Sequence, residues 1–189
     1  MKDDAFIRET RVPMTKEAVR LMVLERLELT GAQHFIDVGA GSGSIAIEAA
    51  LRHPQLNVTA IERNAAAISV IEQNCQRFEC QHISLLQGEA PLPLNVMADA
   101  IFIGGSGGQL TALIDWSLAH LTPTGRPVMT FILQDNLTEA IAYLKQSPVQ
   151  SLDCCELQVS AMTPLGQSYY FKPNNPTYLI SCQKENVCV

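Results

Sequence analysis

The sequence predicts a single α/β domain, a doubly wound and mostly parallel sheet closed at one end by an antiparallel hairpin. Three observations lead there. Apolar runs of strand length alternate with helix-length segments as far as about residue 145, the signature of βαβ units with right-handed crossovers. A glycine-rich turn follows the first of these runs directly. Beyond residue 150 the alternation stops, and two strand-like runs follow with no helix between them.

In chain order, residues 1–14 read as irregular and end at Pro13-Met14. Thr15 is placed to cap a helix over 16–29, with Glu17 in its first turn and Val19, Met22, Val23, Leu27 and Leu29 as its apolar stripe. Strands are expected at 35–38, 58–61, 82–86, 98–103 and 127–133. Helices are expected at 44–52, at 65–78 with Asn64 as cap, at 109–121, and from Asp135 or Asn136 to 145. From 152 to 161 the residues alternate, with Cys155, Leu157, Val159 and Ala161 on one face and Cys154 on the other. A loop holding Pro164, Gly166, Pro173 and Pro176 leads to a last strand at 178–182. All 189 residues read as one domain, with 150–184 forming the closing hairpin and its long loop.

The net charge of −6 argues against a duplex nucleic-acid binder, whose affinity comes largely from cations on phosphates. Charge is uneven: Arg8, Arg11, Lys16 and Arg20 outnumber Glu9 and Glu17 within residues 6–20. That segment suits an anionic small molecule, or is simply a solvated helix face. No apolar window is long enough to span a membrane, and Met1-Lys2-Asp3-Asp4 lacks a signal-peptide core, so a cytoplasmic location without membrane attachment is expected. The six cysteines form no CxxC pair and no histidine adjoins one, so free thiols are expected and no metal site.

The strongest motif is Asp37-Val38-Gly39-Ala40-Gly41-Ser42-Gly43, between the first strand and its helix. Glycines there let the chain turn sharply and bring backbone N–H groups close to a ligand. A dinucleotide fingerprint would need its third glycine at position 44, which is Ser44. Glu62 ends the second strand, where a carboxylate accepts both hydroxyls of a ribose diol or caps the next helix. Gly88-Glu89-Ala90-Pro91 reads by itself as an ordinary turn. After the fourth strand, Gly104-Gly105-Ser106-Gly107-Gly108 removes side chains, which opens room for a bulky substrate or forms a long helix-entry loop. No nucleophile–base constellation stands out, so no catalytic residue is named.

The glycine motif, with its acid two residues upstream, resembles motif I of the class I S-adenosylmethionine-dependent methyltransferases. The sheet and closing hairpin resemble their seven-stranded fold. With Pro13-Met14-Thr15-Lys16-Glu17 and Ile103 to Gly108, the chain resembles the decarboxylating corrin methyltransferases that act on cobalt-precorrin-6B in anaerobic cobalamin synthesis. The resemblance implies S-adenosylmethionine as cofactor, contacted by Thr15, Asp37, Gly39, Ala40, Gly41, Ser42, Gly43, Glu62 and Ala90, with Glu89 nearby. It implies methylation of carbon 15 and loss of the carboxyl of the carbon 12 acetate, giving cobalt-precorrin-7. The partner is then an anionic tetrapyrrole, for which Arg8, Arg11 and Lys172 are candidate clamps. Gly104, Gly105, Ser106 and Gly107 form its candidate turn, and Tyr169 and Tyr170 are candidate stacking surfaces. A homo-oligomer, up to a tetramer, is also implied. A tRNA or protein methyltransferase of the same fold and an NAD-binding oxidoreductase are the alternatives. The first is opposed by the acidic balance and the second by the glycine spacing.

Overall fold

Strands that are apolar on both sides need cover on both sides, and here helices supply it. In β1 (His34–Val38), Phe35 joins the core beneath α1 (Glu17–Leu27), α2 (Ser44–Arg52) and α3 (Ala65–Arg77). Its neighbours Ile36 and Val38 join the opposite core, beneath α4 (Leu110–His120) and α5 (Gln134–Leu144). The computed structural model describes residues 1–186. The other strands are β2 (Asn57–Glu62), β3 (Ser84–Gln87), β4 (Ala98–Ile103), β5 (Leu121–Phe131), β6 (Val149–Leu157), β7 (Ser160–Leu165), β8 (Ser168–Pro173) and β9 (Thr177–Lys184). Seven of them form one sheet in the order β3-β2-β1-β4-β5-β9-β6. The first five are parallel, and β9 runs antiparallel between β5 and β6. No helix among the described residues is long and apolar enough to cross a membrane.

The structure departs from expectation at three places. Thr15 does not cap α1. Lys16 holds the N-cap position without a side-chain bond, and Asp3 Oδ1 instead accepts the Glu17 N–H at 2.9 Å. That cap comes from a residue distant in sequence, which no local pattern reports. Asn64, by contrast, caps α3 by accepting the Ala66 N–H at 2.9 Å. Second, β5 begins at Leu121, directly after α4, and stops at Phe131, leaving Ile132 and Leu133 67% and 58% exposed.

Third, the alternation that reads as one strand to residue 161 is divided between β6 and β7. β6 leaves the sheet at Leu157, opposite Thr177. The chain then builds a separate two-stranded ribbon, β7–β8, turning at Gly166. Pro164 and Pro173 lie within this ribbon, which a two-stranded arrangement allows because both strands are edges. On β6 the expected face holds: Cys155 and Leu157 pack on the core and Cys154 is exposed. Cys75, Cys80, Cys154, Cys155 and Cys182 are free thiols, and Cys188 lies outside the described residues.

Candidate active site

In this sheet order β1 and β4 are neighbours whose following helices lie on opposite faces. Such a switch point leaves a crevice beyond the carboxyl ends of the strands. The two turns that leave these strands pack together there. The Gly104 N–H donates to the Val38 carbonyl at 2.8 Å, and a Cβ on Gly39 would lie 3.3 Å from the Gly105 nitrogen. Gly39, Gly104 and Pro13 border both lobes of the resulting cleft. The larger lobe has a volume of about 610 Å³ and reaches Thr15, Lys16, the end of β5 and the loop before β9. The smaller, of about 180 Å³, lies over the ends of β2 and β3.

The glycine loop does not offer free amides to the cleft. Gly39 and Ala40 both donate to the Ile61 carbonyl, at 2.9 and 3.1 Å. Gly41 donates to Glu62 Oε2 at 2.9 Å, Ser42 to the Pro13 carbonyl at 2.9 Å, and Gly43 to the Ala40 carbonyl at 2.8 Å. Neighbouring acceptors take the loop N–H groups that the sequence suggested would approach a ligand. A pyrophosphate needs such donors. What the loop presents is a bare glycine surface. Gly41 is required for another reason, since a Cβ there would stand 2.5 Å from the Pro13 carbonyl oxygen.

Glu62 lines the smaller lobe and is 8% exposed. Its Oε1 accepts the Asn64 N–H at 2.8 Å, so each oxygen already holds one backbone amide. A carboxylate has about four acceptor positions, which leaves two for a diol. Asp37 is 1% exposed on the α2 side of β1, and its Oδ2 accepts the Ala46 N–H at 3.1 Å. Burial raises its carboxyl to about 7. The Ala46 N–H opposes that rise and the nearby Glu62 charge adds to it.

Residues 4–184 match the family described as "Precorrin methyltransferase domain". A relative from Salmonella typhimurium, named cobalt-precorrin-6B C(15)-methyltransferase (decarboxylating), is 59% identical over 98% of this chain and 96% of its own. The chain belongs to the precorrin methyltransferase family. Among solved structures, the precorrin-6y C5,15-methyltransferase of Geobacter metallireducens superposes with a TM-score of 0.90 at 31% identity. It covers 97% of this chain and 96% of that one. The precorrin 8W decarboxylase of Methanobacterium thermoautotrophicum gives 0.85 at 30%, covering 96% and 98%. The fold is that of the class I methyltransferases, and the chain is a methyltransferase.

This precorrin methyltransferase gathers only part of the expected site around its cleft. Gly39, Ala40, Gly41 and Thr15 line the larger lobe, while Glu62, Ala90, Glu89 and Gly105 to Gly107 line the smaller. Ser42 and Gly43 line neither. Ser42 is buried and acts through its backbone, and Gly43 lets the loop pack on Ile71 and Ile47. Arg8, Arg11 and Lys172 are exposed and line neither lobe, as are Tyr169 and Tyr170. Arg20 is no part of a positive surface. It is fully buried, with Nε on Glu48 Oε2 at 2.6 Å and Nη1 on the Thr15 carbonyl at 2.6 Å. Sequence reasoning missed Arg63, which pairs with Glu89 at the rim of the smaller lobe, and Asn174 and Asn175 in the larger. Their only local signal is adjacency, to Glu62 in one case and to β9 in the other.

Proposed function

We propose that this methyltransferase uses S-adenosylmethionine to methylate carbon 15 of cobalt-precorrin-6B, with loss of the carbon 12 acetate carboxyl as carbon dioxide. The observation that carries this reading is the two-lobed cleft at the β1/β4 switch point, in a chain 59% identical to a relative of that name. The smaller lobe fits an adenosine: Glu62 retains acceptor capacity for the ribose and Ala90 provides a wall without bulk, while Gly105 to Gly107, expected against the tetrapyrrole, border this lobe and not the larger one. S-adenosylmethionine supplies a methyl group activated on sulfur. Glu62 orients the ribose, and Thr15 faces the methionine end. Pro13, Gly39 and Gly104 leave a passage between the lobes without long side chains.

The chain's contribution to rate is then positioning and exclusion of water. The macrocycle supplies the electrons for the new carbon–carbon bond. It also accepts the pair released when carbon dioxide departs, and the proton gained by the new methyl at carbon 12 is matched by one lost from the macrocycle. We further propose a cytoplasmic homo-oligomer, associating through the exposed β7–β8 ribbon.

The test is incubation with cobalt-precorrin-6B and labelled S-adenosylmethionine, with carbon dioxide trapped and products weighed by mass spectrometry. Carbon dioxide and S-adenosylhomocysteine are expected in equal amounts. Gly105→Leu is the matching variant, because a Cβ at Gly105 meets nothing within 4 Å. It should depress both reactions together. Inactivity of the wild type on every corrin precursor removes the substrate and leaves the family.

A further inference from the structure

The two lobes differ in charge. The described residues lining the smaller lobe include Glu62, Glu89 and Arg63, and the Arg63 guanidinium is already paired with Glu89. Among those lining the larger lobe, Lys16 is the one charged side chain, and no acid is present. In a chain of net charge −6, a polyanion meets repulsion over most of the surface. The acid-free lobe with a cation is where that repulsion is weakest.

Lys16 is also built to exchange partners. Its backbone is fixed: its carbonyl accepts the Arg20 N–H at 2.8 Å, and the preceding Thr15 carbonyl is held by buried Arg20. Its head is loose. The side chain is 46% exposed, and its ammonium lies 3.8 Å from Asp3 Oδ2, beyond good hydrogen-bond distance. Asp3 meanwhile serves Arg20 and the Glu17 amide through its other oxygen.

We propose that Lys16 is a specificity-determining residue, its ammonium pairing with a peripheral carboxylate of the tetrapyrrole in the larger lobe. The proposal rests on the corrin reading above. Asn174 and Asn175 line the same lobe, and a side-chain amide there can donate to a neighbouring carboxylate. The carboxylate held by Lys16 is one the product keeps. An ammonium on the departing group would stabilise the charged reactant over neutral carbon dioxide and slow its loss.

Because Lys16 follows Thr15, the experiment separates substrate from cofactor. Lys16→Ala, Lys16→Arg and wild type are compared in three readouts: S-adenosylmethionine affinity by calorimetry, steady-state kinetics on cobalt-precorrin-6B, and binding of uroporphyrin, an octacarboxylate tetrapyrrole, by fluorescence. Lys16→Ala should raise the corrin KM about tenfold or more and flatten its salt dependence. kcat, the equality of the two products and cofactor affinity should stay within about threefold, and Lys16→Arg should restore most of the KM. An unchanged corrin KM, or a loss confined to cofactor binding, overturns the proposal and leaves the enzyme's function standing. If the wild type turns over no corrin, the functional reading fails separately. Uroporphyrin then decides: equal binding by wild type and Lys16→Ala, or none by either, overturns the role of Lys16.

Discussion

Glu62 joins three parts of the site with one carboxylate: the Gly41 amide, the Asn64 amide and the floor of the smaller lobe. Losing its hydrogen bonds to a bound ribose should weaken S-adenosylmethionine binding by about 2–4 kcal/mol in Glu62→Ala. Calorimetry on the folded variant with wild-type affinity would reject the assignment. Asp37 calls for a different measurement. Its folded-state pKa of about 7 lies above the unfolded value, so protonation favours the native chain. That contribution is fully present below about pH 4 and is lost as pH rises to about 7, at about 1.4 kcal/mol per pH unit. Asp37→Asn keeps an acceptor for the Ala46 N–H and removes the titration. Urea unfolding from pH 5 to pH 8 should therefore show the ligand-free variant gaining on wild type up to about pH 7 and levelling off. Parallel curves would mean that Asp37 does not titrate in this range. Both acids were visible in the sequence because each occupies a strand position next to a turn. That one is shared between turns and the other sealed beneath α2 was not.

At the scale of elements, the N-terminal segment behaves as part of the glycine loop after β1. Asn74 on α3 is fully buried, and its amide meets both. Its Oδ1 accepts the Ile7 N–H at 2.7 Å, and its Nδ2 donates to the Ile7 and Ser42 carbonyls at 3.1 and 2.9 Å. The Ser42 N–H then returns to Pro13, which borders both lobes. Asn74→Ala should lower stability by about 2–4 kcal/mol, since it strands one buried and two part-buried partners. It should also weaken cofactor binding at temperatures where the variant is folded, with Ile7 losing hydrogen-exchange protection. Unchanged cofactor affinity in the folded variant would show that the segment holds its place without Asn74. In the sequence Asn74 is one polar residue in an amphipathic helix, and nothing local marks it. The β6–β7 division was hidden for a related reason. Period-two alternation reports that residues face opposite sides, not which strand they pair with.

At the scale of the whole molecule, the β7–β8 ribbon carries an exposed apolar surface, where Met162, Leu165, Tyr169 and Phe171 are each more than 60% exposed. Packing that apolar surface against a second copy removes it from water. Phe171→Glu should shift sedimentation from oligomer toward monomer, and a wild type that sediments as a monomer at micromolar concentration would exclude association through this face. The sequence by itself determined the βαβ order, the glycine turns at the ends of β1 and β4, and the acid at the end of β2. Each of these is set by local periodicity or by residues a few positions apart. Tertiary structure alone decided that β9 enters between β5 and β6, that Asp3 caps α1, and that Arg20 is a buried clamp. It also decided that Pro13, Thr15 and Lys16 border the same cleft as Phe131 and Asn174. Those are contacts between residues far apart in the chain, and they follow from how the helices and the closing strands pack on a completed sheet.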